Sequence, residues 1–147
     1  MAPTIRPMQL EDFPQVYKLG LSCYNVQDKP YNYWTIGEVA DHFQNHLNLC
    51  YVADSEGQIV GFALGADSYE VMENTGHLEW VAVAPEYRRQ GVASQLMQRL
   101  VEIYRQLGKA KVVSDISSAN VASRGMARKL GFTEGISVTF FVKNLTD

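Results

Sequence analysis

Arg88-Arg89-Gln90-Gly91-Val92-Ala93-Ser94 sets two guanidiniums, a carboxamide and a glycine directly ahead of an amphipathic run, in a chain whose net charge is −3. These residue types suit the binding of an anion. A helix beginning at Val92 leaves its first amides without internal acceptors and carries a partial positive charge at that end, while Gly91 and Ala93 keep the backbone uncovered and Arg88 and Arg89 add cationic donors. A pyrophosphate fits such a cradle. The same residues also read as a solvated arginine pair, because charge clusters commonly mark a wet face, and spacing alone leaves both readings open. Gly-x-Gly-x-x-Gly and the Walker Gly-Lys-Ser/Thr are both absent, which removes the main support for dinucleotide and P-loop sites.

The cradle needs a strand before it and a helix after it, and periodicity supplies both. His77 to Ala84 alternates as a strand, with Glu79, Val81 and Val83 predicted on one face and Leu78, Trp80 and Ala82 on the other; Pro85 closes it. Val92, Leu96, Leu100, Ile103 and Leu107 then form a helical stripe ended by Gly108. Upstream, Thr4 to Arg6 reads as a strand and Glu11 to Leu21 as a helix that tolerates Pro14 in its first turn. Thr35-Ile36-Gly37-Glu38 is a capping box, with Trp34 and Val39 placed as a hydrophobic staple, so a second helix starts at Ile36. Its apolar face is Ile36, Val39, Ala40, Phe43 and Leu47, which puts Asp41, His42, Asn45 and His46 on the wet side. Leu49 to Asp54 and Gln58 to Ala66 flank a turn containing Gly57 and predict a hairpin. Lys111 to Ile116 is a strand, Val121 to Leu130 a helix finished by Gly131 and Phe132 in a Schellman cap, and Ile136 to Val142 a last strand. The order is βααβββαβαβ.

With 147 residues, 46% hydrophobic and 20% charged, the chain fits one domain, 1–147, with a full core. Cys23 and Cys50 form no CxxC, the N-terminus lacks a signal-like pattern, and no stretch reaches membrane-spanning length; a reduced, soluble, cytoplasmic protein is expected. The negative charge argues against nucleic-acid partners, which draw affinity from clustered Lys and Arg. Cationic small molecules suit it better, and association into a homodimer stays open.

On these residues the chain resembles the GNAT N-acetyltransferase superfamily. His77 to Gly108 is similar to its acetyl-CoA motif, with Arg88-x-x-Gly91-x-Ala93 following Val81-Ala82-Val83-Ala84-Pro85. Ser117 to Phe132 is similar to its asparagine-led helix, matching at Asn120, Ser123, Lys129, Gly131 and Phe132, and Thr4 to Leu19 looks like its N-terminal block. The resemblance implies an α/β GNAT fold: a central mixed, mostly antiparallel twisted sheet of six to seven strands flanked by about four helices. It also implies acetyl-CoA as cofactor. Backbone at Val81, Ala82 and Val83 then bonds the pantetheine arm, and Arg88 with the amides of Arg89, Gln90, Gly91, Val92, Ala93 and Ser94 holds the pyrophosphate. Asn120 and Ser123 contact the cofactor further along, Ser123 lying one turn before Ala127 on the same helix face. An amine attacks the thioester directly in a ternary complex.

That attack needs a base and an acid. Glu79 and Asp115 are the candidate bases, the second because some protein N-terminal acetyltransferases of the superfamily carry a carboxylate there; solvated or paired strand carboxylates are the plainer reading of both. The family's tyrosine acid is absent, its position being Ala127, which leaves water held by Ser123 as the acid. The expected function is acetylation of a primary amine on a small molecule, with a protein N-terminal or lysine acetyltransferase and a catalytically silent acyl-CoA-binding module as alternatives.

Other residues point to structure. His42 and His46 have i, i+4 spacing but no zincin glutamate and no evident third ligand, so no metal is expected and a solvated helix face is favoured. Cys23 and Cys50 read as small buried hydrophobes. Tyr24, Tyr31, Tyr33 and Trp34 serve either packing or contact with the acceptor.

Overall fold

The computed structural model describes residues 2–24, 34–70 and 72–146. Strand β1 (Thr4–Pro7) leads through a 3-10 turn at Leu10–Asp12 into α1 (Phe13–Cys23); α2 (Ile36–Asn45), the hairpin β2 (Cys50–Ser55) and β3 (Gln58–Ala66), β4 (Thr75–Val83), α3 (Val92–Gln106), β5 (Lys111–Val113) and α4 (Val121–Lys129) follow. The strands lie in sequence order, antiparallel except for the β4–β5 pair.

Local chemistry accounts for the joints. Glu56 and Gly57 both have positive φ, 53° and 92°, as a two-residue hairpin that matches strand twist requires, and Asp54 Oδ1 accepts the Gly57 N–H at 2.7 Å. Thr35 Oγ1 caps α2 by accepting the Glu38 N–H at 3.1 Å. Only half the expected capping box forms, because the Glu38 carboxylate accepts Trp80 Nε1–H at 2.8 Å instead. The Schellman cap of α4 is complete: Phe132 N–H donates to Ala127 O and Gly131 N–H to Arg128 O, each at 3.0 Å, with Gly131 at φ 90°.

One sheet face packs on α3 through Leu78, Val83, Leu96, Leu100 and Tyr104; the other packs on α1 and α2 through Val16, Val39, Val52, Phe62 and Trp80. Burying an aliphatic side chain of this kind contributes about 1.5–3 kcal/mol of transfer free energy, so the sheet is clamped from both sides. Ile36, Leu47 and Leu107, assigned to apolar faces by spacing, are instead about half exposed, because each sits at a helix end beyond the sheet's reach.

The fold class is as expected; among the described residues there are four α-helices, and the sheet has five strands rather than six or seven. Ile136 to Val142 forms no strand, with Ile136 94% and Phe141 95% exposed. β-Propensity records how a side chain packs on a pleated surface, and here the backbone has no ladder to join: β5 is three residues long where six were expected. Among the described residues, no helix is long and apolar enough to cross a membrane.

Candidate active site

β5 pairs only with Thr75 to His77, so β4 from Leu78 to Val83 keeps an edge that β5 does not cover. Ala84 N–H donates to Val60 O at 2.8 Å, and antiparallel alternation then turns the backbone of Ala82 toward β3 and that of Val81 and Val83 toward the open edge. Two of the three residues expected to meet pantetheine thus offer backbone groups there. Ala82 does not; its side chain is buried on the α1–α2 face. The two edge carbonyls are already engaged, Val81 O by the Tyr24 hydroxyl at 2.5 Å and Val83 O by Arg88 Nε at 3.1 Å, which leaves the edge amides facing the opening.

Beyond β4 the chain passes a 3-10 turn at Pro85–Tyr87 and enters α3 through two left-handed residues, Arg89 at φ 63° and Gly91 at φ 79°. The first bond of α3 is Gln95 N–H to Gly91 O at 3.0 Å, so the amides of Val92, Ala93 and Ser94 precede any helical acceptor. A Cβ added to Gly91 meets no atom within 4 Å, and Arg88, Arg89, Gln90 and Gly91 are all exposed. An open, amide-lined, cationic turn beside a strand edge that no strand among the described residues pairs has the shape and charge for a pyrophosphate joined to an extended amide-bearing arm.

At the other end of the open edge the register slips. Leu64 pairs with Trp80 but Gly65 with Leu78, so one step on β3 spans two on β4 and Glu79 is the extra residue of a bulge. This overturns the alternation expected from sequence. Leu78 packs against α3 whereas Trp80 belongs to the α1–α2 core, and Glu79 leaves the side of Val81 to meet His42 on α2, Nε2 to Oε1 2.9 Å. His42 is not on a wet face: it is 2% exposed, with Nδ1 2.8 Å from Gly65 O. The helix-wheel reading failed because nothing in the sequence near His42 signals an acceptor on β3 and a carboxylate on β4. Its i, i+4 relation to Glu38, 4.0 Å from Nε2, was the one local clue.

Glu38, His42 and Glu79 thereby bring one ligand-capable atom each within 4.8 Å of one another, a third member that spacing did not reveal. These atoms are engaged with each other and with Trp80 by hydrogen bonds. Asp115, the second candidate base, bonds His77 Nε2 at 2.7 Å, and the His77 ring lies 4.9 Å from that of Tyr69. His46 pairs with Asp67 at 3.6 Å. All three histidines of the chain thus meet a carboxylate around the end of β3.

On α4, Asn120 Oδ1 accepts the Ser123 N–H at 3.2 Å as the N-cap, so these two expected site residues hold each other. Ala127 is 7% exposed. Cys50 is buried, and burial pushes its thiol up to about 12; Cys23 is half-buried, its sulfur 3.9 Å from Val83 O and 3.8 Å from Arg88 Nη2. Tyr24 and Trp34 pack against Trp80 with ring centroids 4.8 and 5.1 Å away, whereas Tyr31 and Tyr33 lie outside the described residues.

The sequence model described as the Acetyltransferase (GNAT) family matches residues 13–132. The chain belongs to that family. Acetyl-CoA is the family's cofactor. This GNAT chain is 34% identical over 107 residues to aminoglycoside N(6')-acetyltransferase type 1 of Acinetobacter baumannii, covering 69% of this chain and 72% of that one. It is 31% identical to human N-acetyltransferase 8B over 65% of this chain but only 44% of the human protein, and 23% identical to an N-alpha-acetyltransferase of Sulfurisphaera tokodaii over 88% and 80%. Its fold matches that of the aminoglycoside N-acetyltransferase AAC(6')-Iy in complex with CoA, with a TM-score of 0.72 at 23% identity over 96% of this chain and 99% of the other.

Proposed function

We propose that this GNAT acetyltransferase moves an acetyl group from acetyl-CoA to a primary amine of a small cationic molecule, with Glu79 as the base. The observation that carries the reading is the bulge, which sets Glu79 at the inner end of the open β4 edge while the amide turn at Gly91 lies at the outer end. Acetyl-CoA supplies the thioester that the amine attacks. Val81 and Val83 hold the arm through their edge amides, and Arg89 and the first amides of α3 hold the pyrophosphate. Glu79 accepts a proton from the acceptor ammonium, which frees the nitrogen lone pair for attack. Asp115 is bonded to His77 and serves as the comparison rather than the base.

Glu38, Asp67, Glu79 and Asp115 gather on the α2 side around the end of β3, which favours an acceptor with more than one positive charge, as does the likeness to aminoglycoside acetyltransferases. The likeness to an N-alpha-acetyltransferase supports a peptide amine as the second reading. Thiol release from acetyl-CoA, screened against aminoglycosides, polyamines, amino acids and peptides, decides between them. Turnover with peptides alone overturns the small-molecule reading, and no turnover with any amine despite measured CoA binding makes the chain a silent binding module.

A further inference from the structure

The His42 side chain is 3% exposed, and its two ring nitrogens have different partners. Nδ1 lies 2.8 Å from the Gly65 carbonyl oxygen, which can only accept, so Nδ1 carries a hydrogen. That fixes what Nε2 can be. Nε2 stands 2.9 Å from Glu79 Oε1, and a ring lone pair and a carboxylate oxygen do not approach so closely without a proton between them. The resting pair therefore holds one proton, and the Gly65 carbonyl is the reason. Glu38 Oε2, 4.0 Å from Nε2 and itself bonded by Trp80, adds negative charge beside it.

We propose that His42 and Glu79 act as one acid–base unit, in which His42 stores, away from water, the proton that Glu79 takes from the acceptor ammonium. The inference rests on the reading of Glu79 as the base. His42 is a positioning residue that touches no substrate. An isolated carboxylate, near pKa 4.3, is a poor base toward an alkylammonium near 10, whereas a unit that shares the proton with an imidazole is closer in proton affinity to its donor. Burial lowers the proton affinity of His42, but the Glu79 hydrogen bond and charge, the Gly65 carbonyl and the Glu38 charge outweigh it and hold the imidazole above its ordinary value. Among the described residues, the titratable groups around it include Glu38 and His46 on its own helix, Glu79 on β4, Asp67, past the end of β3, through its pairing with His46, and Tyr104 on α3, which feels the charge of Glu79. From α1, Phe13 faces Phe43 and brings no charge.

The working form is neutral His42 with ionised Glu79. An ammonium N–H breaks, an O–H forms at Glu79 and the proton settles on Nε2, leaving a free amine. The amine nitrogen bonds to the thioester carbon and the C–S bond breaks. The nitrogen's second proton is given up in that step and one proton is taken by sulfur. One proton then leaves the unit to water, restoring the working form. Turnover needs the unit empty, so kcat/KM rises with pH through the unit's own ionisation.

Nitrogen-detected NMR of the histidine rings, titrated with pH on the full chain, reads the unit without activity. In the wild type, Nε2 of His42 should lose its proton above the ordinary histidine value of about 6.5. In Glu79→Gln the carboxamide donates to Nε2 and that ionisation should fall by at least one pH unit. In His42→Gln, kcat/KM should drop about tenfold or more and its pH profile should lose the ionisation that NMR assigns to His42, while the CoA dissociation constant stays unchanged. If His42→Gln does not fold, the NMR comparison decides. A His42 ionisation unmoved in Glu79→Gln, an unaltered pH profile in His42→Gln, or one divalent metal ion per purified chain held by these residues overturns the unit and leaves Glu79 as a candidate base. Full activity of Glu79→Gln at neutral pH overturns the base reading itself.

Discussion

Arg88 Nε donates to the carbonyl oxygen of Val83 at 3.1 Å, so the first arginine of the Arg88-Arg89 pair is turned back onto the strand it has just left. Arg89, left-handed at φ 63°, is exposed within the turn itself and is the arginine we assign to the pyrophosphate. Arg89→Ala should weaken CoA about tenfold, the loss of roughly one charge-assisted hydrogen bond, and Arg88→Ala should weaken it less. Titration calorimetry of both variants with CoA checks the order; a larger effect of Arg88→Ala contradicts the assignment.

Gly91 offers a cleaner separation of backbone from charge. Its φ of 79° makes Gly91→Ala cost about 1–2 kcal/mol in stability, yet no atom lies near the added Cβ, so CoA affinity should change little. Gly91→Glu carries the same strain and adds a carboxylate to the proposed anion site, and should abolish CoA binding in a folded protein. Calorimetry on the two variants together, with thermal melts for folding, tests the cradle; unchanged affinity in Gly91→Glu removes it.

The cysteines report on the open edge. Cys50, buried and pushed up to about 12, should resist iodoacetamide at pH 8 for as long as the chain is folded. Cys23 lies at the same carbonyl of Val83 that faces the edge, so it should be alkylated first, and bound CoA should slow that reaction. Mass spectrometry of tryptic peptides with and without CoA measures both rates. Equal labelling of Cys23 in the two conditions would place the arm elsewhere.

Ala127→Tyr tests whether the missing tyrosine can be restored. At 7% exposure Ala127 has no room for a phenol without displacing its neighbours, so the substitution should cost about 1–3 kcal/mol and lower turnover rather than raise it. A melt and steady-state rates with acetyl-CoA are the measurements. Higher turnover at unchanged Tm contradicts the packing argument.

Far from the site, Asp12 ties the sheet to α1. Its two oxygens accept from Arg6 at 2.8 and 2.9 Å, while Arg6 Nε reaches Asp54 at 3.0 Å. Burial works against the Asp12 carboxylate, but the Arg6 hydrogen bond, the Gln9 amide and the Arg6 charge outweigh it and hold the carboxyl below its usual range. A depressed folded value stabilises above the unfolded value of about 3.9, and that stabilisation is lost as pH falls through the folded value. Asp12→Asn should therefore cost about 2 kcal/mol at pH 7, roughly 4–8 °C in Tm, with the difference from wild type shrinking toward pH 3. A pH-independent difference would mean the loss is steric.

The sequence alone determined whatever is written within one element or one turn. Thr35 caps α2, Gly57 and Gly131 close their turns, and the break at Gly91 starts α3 beside the arginine pair proposed as an anion cradle, because each depends on neighbours a few positions away. The tertiary structure decided where elements meet. The bulge at Glu79 comes from a register slip between β3 and β4, and it alone moves the candidate base from the face of Val81 to His42. His42 looked solvated because helical periodicity ranks a histidine as polar; its burial is set by a carbonyl 23 residues on and a carboxylate 37 residues on. Ile136 to Val142 shows the converse, since strand composition does not make a strand where no backbone ladder receives it. Periodicity reports a residue's preference for water, whereas a proton held between Nε2 and Oε1 depends on distances that only the packed sheet and helix fix.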